Sequence, residues 1–236
     1  MQGHPAQAME RARQIVEDAV DIDHPLTLSI ALIWAISVFL WTGDLGSAEE
    51  HLDRLISRAE SHSLQPYLAV GRGFQGELAI RRSDARGGVE RLQGCLKEVH
   101  SAPYELLTTA LNMSLVQGLA ATSRFAEGIS LIDETMRLVE TDGDLCYIPE
   151  LLRLKGALLL ARPRPRGDEA ESLELSRRQG ARAWELRTAV DLAALLAVQG
   201  QSESARALLQ PVFEQFVEGS DTADLKAAGR LLATLG

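Results

Sequence analysis

Three glycines at Gly71, Gly73 and Gly76 reproduce the G-x-G-x-x-G spacing with which a backbone can approach a dinucleotide pyrophosphate. That chemistry needs a strand before the glycines, a helix after them and a second strand to make a sheet. Tyr67-Leu68-Ala69-Val70 is a passable first strand, but no sustained alternation of apolar and polar residues supplies the second. The glycines are therefore read as lying inside a helix. There each costs roughly 1 kcal/mol against alanine, a cost usually offset by close approach of a neighbouring helix.

Other reactive side chains are scattered. His4, His24, His51, His62 and His100 fall at helix ends or at exposed helical positions and never pair at i, i+4. Cys95 and Cys146 are too few and too far apart for a metal site or a disulfide framework. No Gly-x-Ser-x-Gly elbow, Walker lysine or HExxH is present, so no enzyme and no cofactor is expected. The run Arg162-Pro163-Arg164-Pro165-Arg166 reads as a solvated, polyproline-like turn.

The elements that must position these residues follow from a repeat. A break followed five residues later by a small residue recurs, and Ala8, Ala48, Gly88 and Gly128 stand 40 residues apart, with Ala170 and Ala205 after them. A period of this size marks helical hairpins that bury their apolar faces only by stacking. The expected fold class is all-α, a right-handed superhelix of about five and a half hairpins with a C-terminal capping helix. The reading is one domain over 1–236: a half repeat at 1–23, repeats at about 24–64, 65–102, 103–144, 145–180 and 181–219, and a cap at 220–236. Second helices carry one apolar face, for example Ala48, Leu52, Leu55 and Ile56, or Gly128, Ile132 and Met136. First helices are expected at 26–42, 66–82, 103–122, 147–161 and 181–199, and the last second helix at 202–217. Trp34, Trp41 and Trp184 fall in apolar runs of first helices and are read as core. Because the chain opens on a second-type helix, the sequence is expected to be part of a longer protein.

Composition narrows the partners. Net charge is −9, from 24 Lys+Arg against 33 Asp+Glu, which argues against a broad phosphate-binding surface and direct nucleic-acid contact. The most apolar stretch, Leu26 to Trp41, is shorter than the roughly 20 residues of a membrane span and reads as a buried helix. No signal-peptide pattern is seen, and the few cysteines fit a reducing cytoplasm.

In such folds first helices line a concave groove, and the polar residues on them are the candidates for ligand contact. By repeat register these are Arg72, Glu77, Arg81, Asn112, Gln117, Glu150, Arg153 and Arg187, with Asp191 beside the last. The competing reading is that they form internal ion pairs, such as Glu150 with Arg153 across one turn.

The segments Pro149-Glu-Leu-Leu-Arg-Leu-Lys-Gly-Ala-Leu-Leu-Leu160, Arg178-Gln-Gly-Ala-Arg-Ala-Trp-Glu-Leu-Arg-Thr-Ala189 and Pro211-Val-Phe-Glu-Gln-Phe-Val-Glu-Gly-Ser-Asp-Thr-Ala-Asp-Leu225 carry a family resemblance. They resemble tetratricopeptide-like arrays, and more narrowly the C-terminal array of bacterial regulators in which a signal-transduction ATPase follows a DNA-binding or nucleotide-cyclase domain. Ser220 departs from the aromatic of that pattern, and the second helix of the fourth repeat is short. The resemblance implies a non-catalytic regulatory module whose partner is a protein or a neighbouring ATPase or effector domain. The alternative is a receptor that holds a metabolite or sugar in the groove, which stacked aromatics would favour. An enzyme is the remote third reading.

Overall fold

The computed structural model describes residues 3–100, 107–161 and 168–235. Among them are twelve α-helices and no strand: α1 (Pro5–Ile22), α2 (Pro25–Thr42), α3 (Leu45–Ser61), α4 (Gln65–Arg81), α5 (Ala85–His100), α6 (Thr108–Ala121), α7 (Phe125–Asp142), α8 (Ile148–Leu160), α9 (Asp168–Arg178), α10 (Arg182–Val198), α11 (Ser202–Phe213) and α12 (Ala223–Thr234). A 3-10 turn, Leu145–Tyr147, precedes α8. Two compact units divide the chain, one of Gln7–Leu131 and one of residues 132–236 joined by residues 3–6.

Backbone punctuation repeats with the sequence. Gly43, Ser83 and Ser123 all have positive φ (84°, 71° and 60°) and stand 40 residues apart at the ends of α2, α4 and α6. A second series, Asp23, Ser63 and Gly143, ends α1, α3 and α7 at the same spacing and its double. After the first series the chain closes each helix identically: the N–H of Asp44, Asp84 and Arg124 donates to the carbonyl five residues back, Phe39, Ala79 and Leu119, at 2.8–2.9 Å. This is the left-handed C-terminal closure that satisfies otherwise orphaned carbonyls. Asp44 and Asp84 then cap the next helix, accepting from the N–H of Ser47 (3.1 Å) and Gly87 (3.0 Å).

In the Gln7–Leu131 unit the glycine fingerprint lies wholly within α4. A Cβ on Gly76 would sit 2.8 Å from Leu92 Cγ and 3.0 Å from the Gly88 carbonyl oxygen, and one on Gly88 would meet the Gly76 carbonyl at 2.6 Å. A Cβ on Gly73 would strike Leu111 and Cys95. The glycines thus let α4 and α5 approach backbone to backbone. Leu92, in the middle of that crossing, is fully buried.

The apolar core of this unit runs from Ala12, Val16 and Ala19 of α1 through Leu32, Ile36 and Phe39 of α2 to Leu52, Leu55, Val70 and Phe74. Helix α2 carries no charged residue. At 18 residues and mean hydropathy 1.8 it reaches the length and composition of a bilayer span, beyond the 16-residue run read from sequence; 56% of it is buried within the fold. In the other unit Leu186, Ala189 and Ala193 of α10 close on Ala205, Leu209 and Val212 of α11 and on Leu225, Ala228 and Leu232 of α12.

Several local expectations change. Helix α11 stops at Phe213 rather than 217; Phe216 just beyond it still packs on the core, while Val217 points to solvent. Helix α6 begins at Thr108, and the expected start near 103 lies outside the described residues, as does the Arg162–Arg166 turn. On α7 Thr135, not Met136, takes the buried position between Ile132 and Val139. His51 is buried, with Nδ1 donating to the Ser47 carbonyl at 2.8 Å and its ring 5.0 Å from that of Phe39. Trp34, read as core, is 49% exposed because no described helix covers that side of α2.

Candidate binding surface

Helix α4 presents Glu77 and Arg81 one turn apart. Glu77 is buried; its Oε1 accepts from Arg81 Nε (3.0 Å) and Nη2 (2.8 Å), and its Oε2 accepts from Ser114 Oγ (2.8 Å), 37 residues along on α6. Gln117, half-buried, follows Ser114 by nearly one turn, whereas Asn112 is buried. Arg72 does not join them. Nine residues at about 100° each place it half a turn round α4 from Arg81. There its Nη1 donates to Glu98 of α5 at 2.9 Å.

In the unit of residues 132–236 a longer ladder crosses α8, α10 and α12. Arg153 donates through Nε and Nη2 to Glu150 (2.8 and 2.7 Å) and through Nη1 to Asp191 at 2.6 Å, 38 residues away. Arg187 lies 3.6 Å from Glu150 and donates to Asp224 at 2.8 Å, 37 residues away. Its guanidinium also covers the Trp184 ring at 4.9 Å. Trp184 is buried, and its Nε1 donates to the Cys146 carbonyl, again 38 residues off. Burial pulls the Arg153 proton affinity down, but the carboxylates of Glu150 and Asp191 more than reverse this and hold it above its ordinary value.

Reading the sequence for single helices missed the partners Ser114 and Asp224, and it named Asp191 only as a groove candidate, not as the partner of Arg153. The signal that finds them is a polar residue one repeat away, at 37 or 38 positions, on the next first helix or on the terminal helix. It also missed a cleft of about 370 Å³ among α3, α4 and α5, lined by Glu49, Asp53, Gln75, Arg82 and Arg91, where Arg82 clasps Glu49 with bonds of 2.6 and 2.7 Å.

Compared with known proteins, the chain resembles the crystal structure of the apo form of RapI, with a TM-score of 0.67 at 9% identity, over 98% of this chain and 79% of that one. The fold is a helical-repeat fold. No family model matches the sequence, and no curated protein does either. The resemblance is thus one of architecture, and it accords with the repeat-spaced contacts: Glu77 to Ser114 and Arg153 to Asp191 each tie one first-type helix to the next, and Arg187 to Asp224 ties the last of them to the terminal helix.

Proposed function

We propose that the chain is a non-catalytic binding module, a tetratricopeptide-like array whose first helices offer a polar face to a protein partner. The observation that carries this reading is that polar side chains are ordered across successive helices within each unit by itself: Glu77 and Arg81 with Ser114 in one, and Glu150, Arg153, Arg187 and Asp191 in the other. Their ion pairs hold the side chains in fixed rotamers, which lowers the entropy lost when a partner docks. Asp191 and Asp224 keep part of their carboxylates in solvent, where a partner's donors can reach them.

Groove chemistry favours a protein over a sugar. Among the described aromatics, Phe74 and Trp184 are buried in the core and only Trp34 is well exposed. The resemblance to bacterial regulators supports a module that works in the cytoplasm, beside a signal-transduction ATPase or effector domain whose activity it would bias. One repeat domain over 1–236, wound as a right-handed superhelix, is the architecture this reading implies.

The test is a selection of phage-displayed random peptides on the full chain, followed by titration of the enriched peptides. Each peptide should be weakened at least about tenfold by Arg81→Gln or by Asp191→Asn, according to the unit it binds, a loss of about 1.4 kcal/mol. Arg54→Gln and Arg137→Gln, exposed on second helices, should leave them unchanged. The opposite ranking would move the binding surface to the second helices and overturn the proposal.

A further inference from the structure

Helices α3 and α5 each pack on α4, and the three enclose a cleft of about 370 Å³, at the small end of the range that holds metabolites. Glu49, Leu52 and Asp53 line it from one face of α3, Gln75, Leu78 and Ala79 from α4, and Arg91 from α5. Leu52 and Leu78 are buried, so the floor is apolar and held by the core. Arg82, just past the end of α4, closes one end by clasping Glu49 through two bonds of 2.6 and 2.7 Å. Asp84 is committed as well, its Oδ1 accepting from the Gly87 N–H. That leaves Asp53 on one wall and Arg91 on the other, both exposed and neither hydrogen-bonded or ion-paired among the described residues.

We propose that this cleft is a binding site for a free α-amino acid with an apolar side chain. Such a molecule carries an ammonium, a carboxylate and an apolar group on one carbon, and the cleft holds the complement of each. Asp53 accepts from the ammonium, Arg91 offers the planar fork that pairs with a carboxylate, and Leu52, Leu78 and Ala79 receive the side chain. Gln75, exposed on α4 between the two walls, adds an amide that both donates and accepts. Ligands of a single charge fit worse. An anion drawn to Arg91 also meets Asp53 and Glu49, and a cation drawn to Asp53 also meets Arg82 and Arg91, so either one pays a like-charge penalty that a zwitterion avoids. The site is separate from the polar face proposed for a protein partner: two residues at about 100° each put Glu77 on the far side of α4 from Gln75.

Isothermal titration calorimetry of the full chain with L-leucine, L-isoleucine, L-methionine and L-phenylalanine tests this. At least one of the four should bind with a Kd below about 1 mM, as expected of an open site that holds few atoms. The N-acetyl and the amide derivatives of that amino acid, which lack the cation and the anion in turn, should each bind at least about tenfold more weakly. Asp53→Asn and Arg91→Gln should each weaken the free amino acid at least about tenfold with an unchanged helical spectrum, since both side chains are exposed. Arg86→Gln, exposed on α5 outside the cleft, should bind like the parent. Absence of binding by all four up to about 10 mM, well above the expected Kd, overturns the proposal. So does a blocked derivative that binds as tightly as the free amino acid, or a parent-like affinity in either cleft variant.

Discussion

Arg153 of α8 donates a 2.6 Å hydrogen bond to Asp191 of α10, 38 residues later, while its other nitrogens hold Glu150 on its own helix. One guanidinium thereby joins a local helix pair to the next repeat. Because Glu150 is almost wholly buried and Asp191 is 40% exposed, the two carboxylates are far from equivalent. Arg153→Met should destabilise the fold by about 3–5 kcal/mol in denaturant unfolding, since it strips a buried carboxylate of its main partner. Asp191→Asn should cost no more than about 1 kcal/mol. Equal losses would show that the pair does not sit in two different environments.

Alanine substitutions separate the glycines by what their Cβ would meet. Gly76→Ala and Gly88→Ala force Cβ atoms against backbone oxygens of the facing helix. Each should lower stability by about 1–3 kcal/mol. Gly94→Ala, with nothing within 4 Å, should raise it by up to about 1 kcal/mol. Thermal melts of the three variants check the order. A stabilised Gly76→Ala would refute the close α4–α5 crossing.

The series of left-handed residues gives a second contrast. Gly43→Ala should cost about 1–2 kcal/mol, the penalty of a side chain at that φ. Ser83→Gly and Ser123→Gly should be neutral to stabilising by about 0.5 kcal/mol, because relief of the same strain is partly offset by glycine's greater unfolded-state freedom. Chemical denaturation of all three tests whether the two serines occupy the glycine's conformation.

Thiol chemistry reports on the core. Burial first, and the Glu98 carboxylate second, push the Cys95 thiol up to about 11, and its Sγ donates to the Ala69 carbonyl at 3.1 Å. Below that value the group is a neutral thiol, so at pH 8 Cys95 should resist a disulfide reagent until the protein unfolds. Cys146 is exposed and should react in the native state. Two fast thiols in the native protein would contradict the burial of Cys95.

Much of the architecture is legible in the sequence because helix ends and apolar stripes are local signals. Gly43 marks its turn openly. Ser63 and Ser83 hide theirs, since serine at positive φ looks like any polar break, and only the 40-residue spacing exposes them. Trp34 misleads for a different reason: its repeat equivalent, Phe74, is core, and no local signal says that α2 has an open side. The ladder lay further out of reach. Glu150 with Arg153 is a one-turn pair visible by spacing, but Asp191 and Asp224 become partners only when helices 37 or 38 residues apart are stacked.

Gly71, Gly73 and Gly76 are helical, and no strand is present among the described residues to make them a nucleotide site. Far-ultraviolet circular dichroism of the full chain tests this most directly. The expected result is more than about 60% helix, well above the third or so of an average globular protein. A spectrum with substantial sheet would contradict the repeat fold and return the three glycines to a strand-to-helix turn.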